Sequence, residues 1–385
     1  MIQKADRLND VQEYYFSKKL REVAGLIHDG KPVINMAIGS PDLQPPPTVV
    51  EALKETMQLE NAHKYQSYQG IPALRDGICN FYKENYNVVI NSATEILPLM
   101  GSKEGIMHIS LAFLNKGDQV LIPNPGYPTY ASVTKLIEAQ PVLYNLTEES
   151  NWLPNFLEIE KQDLSKVKIM WVNYPHMPTG AVASKEDFQQ LVSFAKKHQI
   201  LIVNDNPYSF VLNNNPQSIL AIEGAKEVAI ELNSLSKSFN MAGWRVGMVV
   251  GAAETIKIIL QVKSNMDSGM FLGIQKGAVA ALKLSSSWFE KQDAIYKKRR
   301  AIVWRIFEAL NCTYDTSISG LFVWAKLPKG ETSEKFTDEL LYKKDVFISP
   351  GTVFGSNGEG YIRASLCVSE VALNKVLSRL TTSKK

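Results

Sequence analysis

From residue 96 onward, short apolar runs alternate with stretches whose apolar residues recur at helical spacing. The runs predict strands at 96–100, 119–122, 141–145, 168–172, 200–204, 228–232 and 246–250. The periodic stretches predict helices at 103–115, 127–139, 185–197 and 252–263. Short, mostly apolar strands alternating with amphipathic helices at this spacing suit a sheet buried on both sides. The pattern therefore predicts an α/β fold: a large domain with a mostly parallel seven-stranded sheet flanked by helices, plus a smaller α+β domain. A long helix over about 285–310 opens the smaller domain, and residues 320–385 mix shorter strands and helices. Ahead of the sheet, residues 1–30 read as a polar helix carrying Tyr14, Tyr15, Phe16, Leu20 and Val23 on one face. A short strand at 33–39 follows. Pro45-Pro46-Pro47 forbids helix and reads as an extended connector. Further helices open at Thr48 and near Pro72. The large domain is placed at 46–284 and the small one at 285–385, completed by 1–45.

Composition narrows the function classes. The 385 residues are 45% hydrophobic and 21% charged, as in an ordinary globular enzyme. The net charge of +3 is too small to imply a nucleic-acid or membrane partner. Cys79, Cys312 and Cys367 lie far apart and are odd in number, which suits free thiols in a reducing compartment. Residues 1–10 are polar and mixed in charge, unlike a signal peptide, and no apolar run reaches membrane length. The expectation is a cytoplasmic protein. The histidines at 28, 63, 108, 176 and 198 show no His-Glu-x-x-His spacing, so no metal is expected.

Candidate chemistry concentrates at Ser234-Leu235-Ser236-Lys237, with Arg245 eight positions after the lysine and an apolar strand on either side. Burial between strands penalises an ammonium and frees a neutral amine, which reacts with a carbonyl cofactor to form a Schiff base. The hydroxyls of Ser234 and Ser236 and the Arg245 guanidinium suit a phosphate beside it. An exposed lysine in a serine-rich turn has the same letters. Gly101-Ser102-Lys103 follows a strand and opens a helix, where free amides attract an anion; such a turn is also common as plain structure. Tyr127 sits in a proline-stiffened loop, suited to stacking on a flat ring or to core packing. Asp205 ends a very apolar strand, where a carboxylate needs a cation such as a protonated pyridine nitrogen, unless it merely caps the next helix.

The Ser-x-Ser-Lys signature with Arg at +8 resembles that of the class I/II aminotransferases, fold-type-I enzymes that depend on pyridoxal 5'-phosphate. The resemblance runs from residue 39 to 363 through stretches in the family's order. It implies that Gly101, Ser102, Lys103, Ser234, Ser236 and Arg245 hold the phosphate and that Tyr127 stacks on the ring. Asp205 would meet the ring nitrogen, and Tyr208 the ring oxygen. Tyr65 would reach the phosphate of a neighbouring subunit in a homodimer, and Arg363, with the backbone of Gly39, would take the substrate α-carboxylate. Asn173-Tyr174-Pro175-His176-Met177-Pro178-Thr179-Gly180 resembles the family's Asn-x-Pro-x-Asn-Pro-Thr-Gly turn, with Met177 where an asparagine usually donates to the ring oxygen. Methionine cannot donate. Tyr208 then carries that contact alone, or Asn173 or His176 moves in.

What the resemblance implies is an aminotransferase that holds its cofactor on Lys237 and moves an amino group from an amino acid to a 2-oxo acid by ping-pong kinetics. The aspartate-specific branch carries a second arginine near Leu260–Asn265; none stands here, which argues against strict dicarboxylate specificity. Tyr14, Tyr15 and Phe16 are candidates to line a pocket for apolar or aromatic side chains. Two alternatives stay open: a carbon–sulfur β-lyase on the same scaffold, and a non-catalytic binding protein of that fold.

Overall fold

Residues 2–11, 13 and 15–381 are described by the computed structural model, so Tyr14 lies outside the described residues. A two-residue strand, β1 (Ile34–Asn35), precedes the main sheet. The sheet itself contains β2 (Ile96–Leu99), β3 (Gln119–Asn124), β4 (Gln140–Asn145), β5 (Val167–Val172), β6 (Leu201–Asp205), β7 (Ala229–Ser234) and β8 (Gly247–Val250). All seven predicted strands are present, and they pair in the order β2-β8-β7-β6-β5-β3-β4. The pairs β3–β4, β3–β5, β5–β6 and β6–β7 are parallel. β8 runs antiparallel to both of its neighbours, β7 and β2. Every residue of β2, β7 and β8 is buried; β2 and β8 are apolar throughout, whereas β7 buries Glu231, whose carboxyl accepts from Tyr82, Asn204 and Ser218. β4, at the edge, is largely open to solvent.

This topology brings the carboxyl ends of β2 through β7 to one side, where β8 begins. Ligands gather at that side of an open α/β sheet. The connecting helices cover both faces. Ser102–Phe113, Pro128–Leu136, Lys185–His198 and Ala253–Lys263 lie close to the predicted spans. Lys185–His198 starts with a reciprocal capping box between Ser184 and Asp187, satisfying two otherwise orphaned amides.

Several expectations need correction. The helix read over 1–30 is confined to Tyr15–His28, after a short 3-10 turn at Asp6–Leu8. Pro47, read as connector, is the first residue of helix Pro47–Met57, where its missing N–H costs nothing. The strand expected at 33–39 shrinks to β1, because only Ile34 and Asn35 find a partner strand, at Val346–Phe347. Helix Leu272–Leu282 was not anticipated. It is apolar nearly all round and packs on helix Pro47–Met57. A Cβ on Gly277 would come within 2.9 Å of Trp244 and 3.3 Å of Val49, so glycine there permits the close approach.

The C-terminal part adds β9 (Thr313–Tyr314), β10 (Phe322–Lys326), β11 (Val346–Phe347), β12 (Ser349–Pro350) and β13 (Tyr361–Ser365). β12, β13, β10 and β9 form an antiparallel sheet in that order, and β11 pairs in parallel with β1. Helix Ser286–Ala309 packs against helix Glu370–Thr381. Phe16 and Val23 of helix Tyr15–His28 join the same core as β10, β11 and β13. Arg299 clamps Asp42 with bonds of 2.6 and 2.9 Å, tying the early segment to the long helix. Among the described residues no helix is long and apolar enough to cross a membrane.

Candidate active site

A cavity of about 620 Å³ opens where these strand ends meet the C-terminal core. Lys237, Asp205 and Arg245 all line it, together with Gly39, Ser102, Lys103, Tyr127, Asn173, Tyr208, Ser234, Ser236 and Arg363. Gly101 lies just behind Arg245. Tyr65 stands apart, 90% exposed and outside the cavity of its own chain.

One end of the cavity is cationic. Gly101 has a φ of +92°, and a Cβ there would come within 2.0 Å of the Arg245 guanidinium, so only glycine lets the side chain lie against the turn. Ser102 follows as the first residue of its helix, where main-chain amides lack intrahelical acceptors. Ser234 ends β7 and caps the short turn that carries the lysine; its Oγ accepts from the Ser236 amide at 3.1 Å. Burial, then the neighbouring Arg245 charge, depresses the Lys103 amine. Arg245 adopts left-handed backbone at φ 56°, which costs a non-glycine residue about 1–2 kcal/mol. Fixed cations, hydroxyls and a helix start converging on one spot are what a phosphate dianion requires.

At the middle of the cavity, Asp205 is buried at the end of β6. Tyr130 donates to its Oδ2 at 2.8 Å, while Oδ1 is buried with no hydrogen-bond partner. A buried carboxylate oxygen left in this state suits a cationic N–H donor such as a protonated ring nitrogen. Burial pushes the Asp205 carboxyl up to about 6, against the opposing pull of Tyr130 and Lys237. An acid raised from 3.8 to about 6 stabilises the folded chain most below pH ~4, and that contribution is lost as the pH climbs through 6. Thermal melts of the cofactor-free protein should show this loss, on the order of 3 kcal/mol. In Asp205→Asn the melting temperature should vary less between those pH values; an unchanged slope would remove Asp205 as its cause.

Lys237 points its Nζ at the Gly39 carbonyl, 2.5 Å away. Burial lowers its pKa, and the positive charges of Arg363 and Arg245 add to the effect against the pull of Cys367 and Asp205. Tyr208 is buried and lines the same cavity, its phenol held neutral by burial, with its ring edge-on to Phe322 at 5.9 Å. Tyr127 lines the cavity and stands edge-on to Tyr130. Asn173 is committed locally: its Nδ2 donates to the Asp205 carbonyl, and its Oδ1 accepts from the Met177 amide at 2.7 Å. His176 is buried with Nδ1 2.8 Å from Thr179 Oγ1, and it does not line the cavity.

The other end holds Arg363, which projects from β13. Its Nη2 donates to the Ala37 carbonyl at 2.7 Å, and its Nη1 to Met177 Sδ at 3.1 Å. The guanidinium carbon lies 3.8 Å from the centre of the Phe322 ring, 4.4 Å from Phe354 and 5.8 Å from Phe16. Flat aromatic neighbours suit a guanidinium far better than an ammonium.

Tyr130, Phe322 and Phe354 were not singled out from the sequence. Tyr130 lies three residues after Tyr127, but its bond to Asp205 spans 75 positions. A second cluster has no sequence motif. Donor atoms of Glu104, His108 and Asp267 lie within 4.8 Å of one another. Lys263 already sits 2.6 Å from Asp267, so an ammonium supplies the positive charge there.

The family model for aminotransferase class I and II matches residues 31–380. The chain is 40% identical to an LL-diaminopimelate aminotransferase of Dehalococcoides mccartyi, over 98% of each chain. It is similarly 40% identical to one of Maridesulfovibrio salexigens, again over 98% of each. The substrate-bound structure of BacF from Bacillus subtilis superposes with a TM-score of 0.96 at 34% identity, covering 100% of this chain and 98% of that one. The chain belongs to the class I and II aminotransferases. Its cofactor is pyridoxal 5'-phosphate, and its reaction is transfer of an amino group between an amino acid and a 2-oxo acid. The carbon–sulfur lyase alternative gains no support from these relatives.

Proposed function

We propose that Lys237 is the amine that holds the cofactor and then moves the substrate's α-proton. The observation that carries this reading is the meeting of Lys237, the unpartnered Oδ1 of Asp205 and the Arg363 guanidinium in one cavity. Bound pyridoxal phosphate supplies an electrophilic carbon and an electron-withdrawing ring. Lys237, biased toward its neutral form, takes the proton from the α-carbon and returns it to the cofactor carbon as general base and acid. Asp205 keeps the ring nitrogen protonated, with Tyr130 steadying the carboxylate. Gly101, Ser102, Lys103, Ser234, Ser236 and Arg245 hold the phosphate, and Tyr127 covers the ring. Arg363 orients the α-carboxylate. Initial rates with both substrates varied should give the parallel double-reciprocal lines of a ping-pong reaction; intersecting lines would contradict it.

Met177 offers no donor toward the ring oxygen, and Asn173 is engaged elsewhere. Tyr208 then donates alone. Met177→Asn should lower the pH at which the bound cofactor's absorbance titrates, by about one unit for one recovered hydrogen bond. A titration that does not move would rule out position 177 as a tuning site.

We also infer a homodimer in which Tyr65 reaches the partner's phosphate site. Tyr65, Tyr68, Met100 and Met266 are exposed, and the loop of Gln66 and Ser67 packs against Gly269. Sedimentation at twice the 43.0 kDa chain mass is expected; a monomer would contradict it. The domain division at 46–284 and 285–385 with 1–45, and a cytoplasmic setting consistent with the free thiols of Cys79, Cys312 and Cys367, belong to the same proposal. The relatives' shared name makes LL-diaminopimelate one candidate amino donor.

A further inference from the structure

The cavity's charges are unevenly placed. Among the described residues lining it, the sole carboxylate is Asp205, and Tyr130 ties that to the ring-nitrogen position. Lys103 and Arg245 stand together at the phosphate end. Around Arg363 the walls are apolar: Phe322 and Phe354 against the guanidinium, Phe16 beyond them, and Leu20 and Ile38 lining the same cavity. Phe16 and Leu20 lie four positions apart on helix Tyr15–His28, hence on one face. Ser17 and Ser40 add only hydroxyls. A donor carrying a second amino-acid head would have to bury a distal ammonium and carboxylate against these rings, at the desolvation cost of unpaired charges. An apolar side chain would gain by leaving water.

We propose that the amino donor is a neutral amino acid with a large apolar side chain, aromatic for preference. Arg363 holds its carboxylate, while Phe16, Leu20, Ile38 and Phe354 enclose the side chain. This rests on the assignment of Arg363 to the α-carboxylate, and not on the role of Lys237. The test therefore uses unreactive acids that lack the α-amino group, titrated calorimetrically into the cofactor-loaded enzyme. 3-Phenylpropanoate should bind about tenfold or more tighter than propanoate or the dicarboxylate pimelate. Leu20→Asn should cut that preference several-fold. Pimelate binding as tightly as the phenyl acid, or an undiminished preference in Leu20→Asn, overturns the proposal. Selective binding of the phenyl acid with no amino transfer from any donor counts against Lys237 and leaves the pocket's preference standing. Transfer from a charged donor but not from L-phenylalanine overturns the proposal.

Discussion

Lys237→Ala will bind pyridoxal phosphate without the absorbance of a cofactor linked to lysine, and its turnover will fall by roughly 10⁴-fold or more. Acid–base catalysis alone contributes about 10²–10⁴-fold, and the loss of covalent activation comes on top. Among the described residues no other lysine is placed to compensate. Lys103 is the other lysine lining the cavity, and it sits with Arg245 at the cationic end, away from the Gly39 carbonyl that Lys237 meets. Absorbance spectra of the reconstituted variant and single-turnover measurements check both parts. A variant that keeps the wild-type spectrum would mean that the amine is elsewhere.

Arg363 carries the second large effect. Its side chain is fixed before any substrate arrives, by the Ala37 carbonyl, by Met177 and by the Phe322 and Phe354 rings. A carboxylate meeting this planar fork forms charge-assisted bonds at little cost in ordering. Truncating one partner of such a buried pair costs about 2–5 kcal/mol. Arg363→Ala should therefore lower kcat/KM by roughly 30- to 5000-fold, with most of the loss in KM. Arg363→Lys should recover little, because an ammonium cannot copy the fork and is a poorer partner for the neighbouring rings. Steady-state kinetics of the two variants decide the matter. Full recovery in the lysine variant would show that charge alone suffices, and the aromatic cage would lose its purpose.

The sheet was legible because its strands announce themselves. β2 and β8 are buried on both faces and are apolar throughout, and β7 departs from that only where its buried polar side chains find partners, as Glu231 does with Tyr82 and Asn204. The helices between them have one wet face and so show a helical period. Leu272–Leu282 has no such face: it is pressed between other helices, with Gly273 and Gly277 at close contacts, and its letters carry no period to read. β1 is two residues long and exists only because β11, more than 300 positions away, offers it an edge. Such pairings belong to tertiary structure, and local sequence does not encode them.

The candidate site divides in the same way. Residues beside glycine, proline or serine turns, such as Ser102, Tyr127, Ser234 and Lys237, stand in motifs whose spacing has a chemical reason. The groups that prepare those residues come from elsewhere in the chain. Tyr130 reaches Asp205 from helix Pro128–Leu136, and Phe322, on the strand paired with β13, and Phe354 reach Arg363. An isolated phenylalanine looks like core in any sequence. Only the fold reveals that these two pack against a cation.

The most direct test of the central claim is chemical trapping. Borohydride reduction of the pyridoxal-phosphate-loaded enzyme, followed by proteolysis and mass spectrometry, reads out which lysine carries the cofactor. The account predicts the modification on the peptide containing Lys237 alone. Modification of Lys103 or any other lysine in its place, with Lys237 unlabelled, would contradict it.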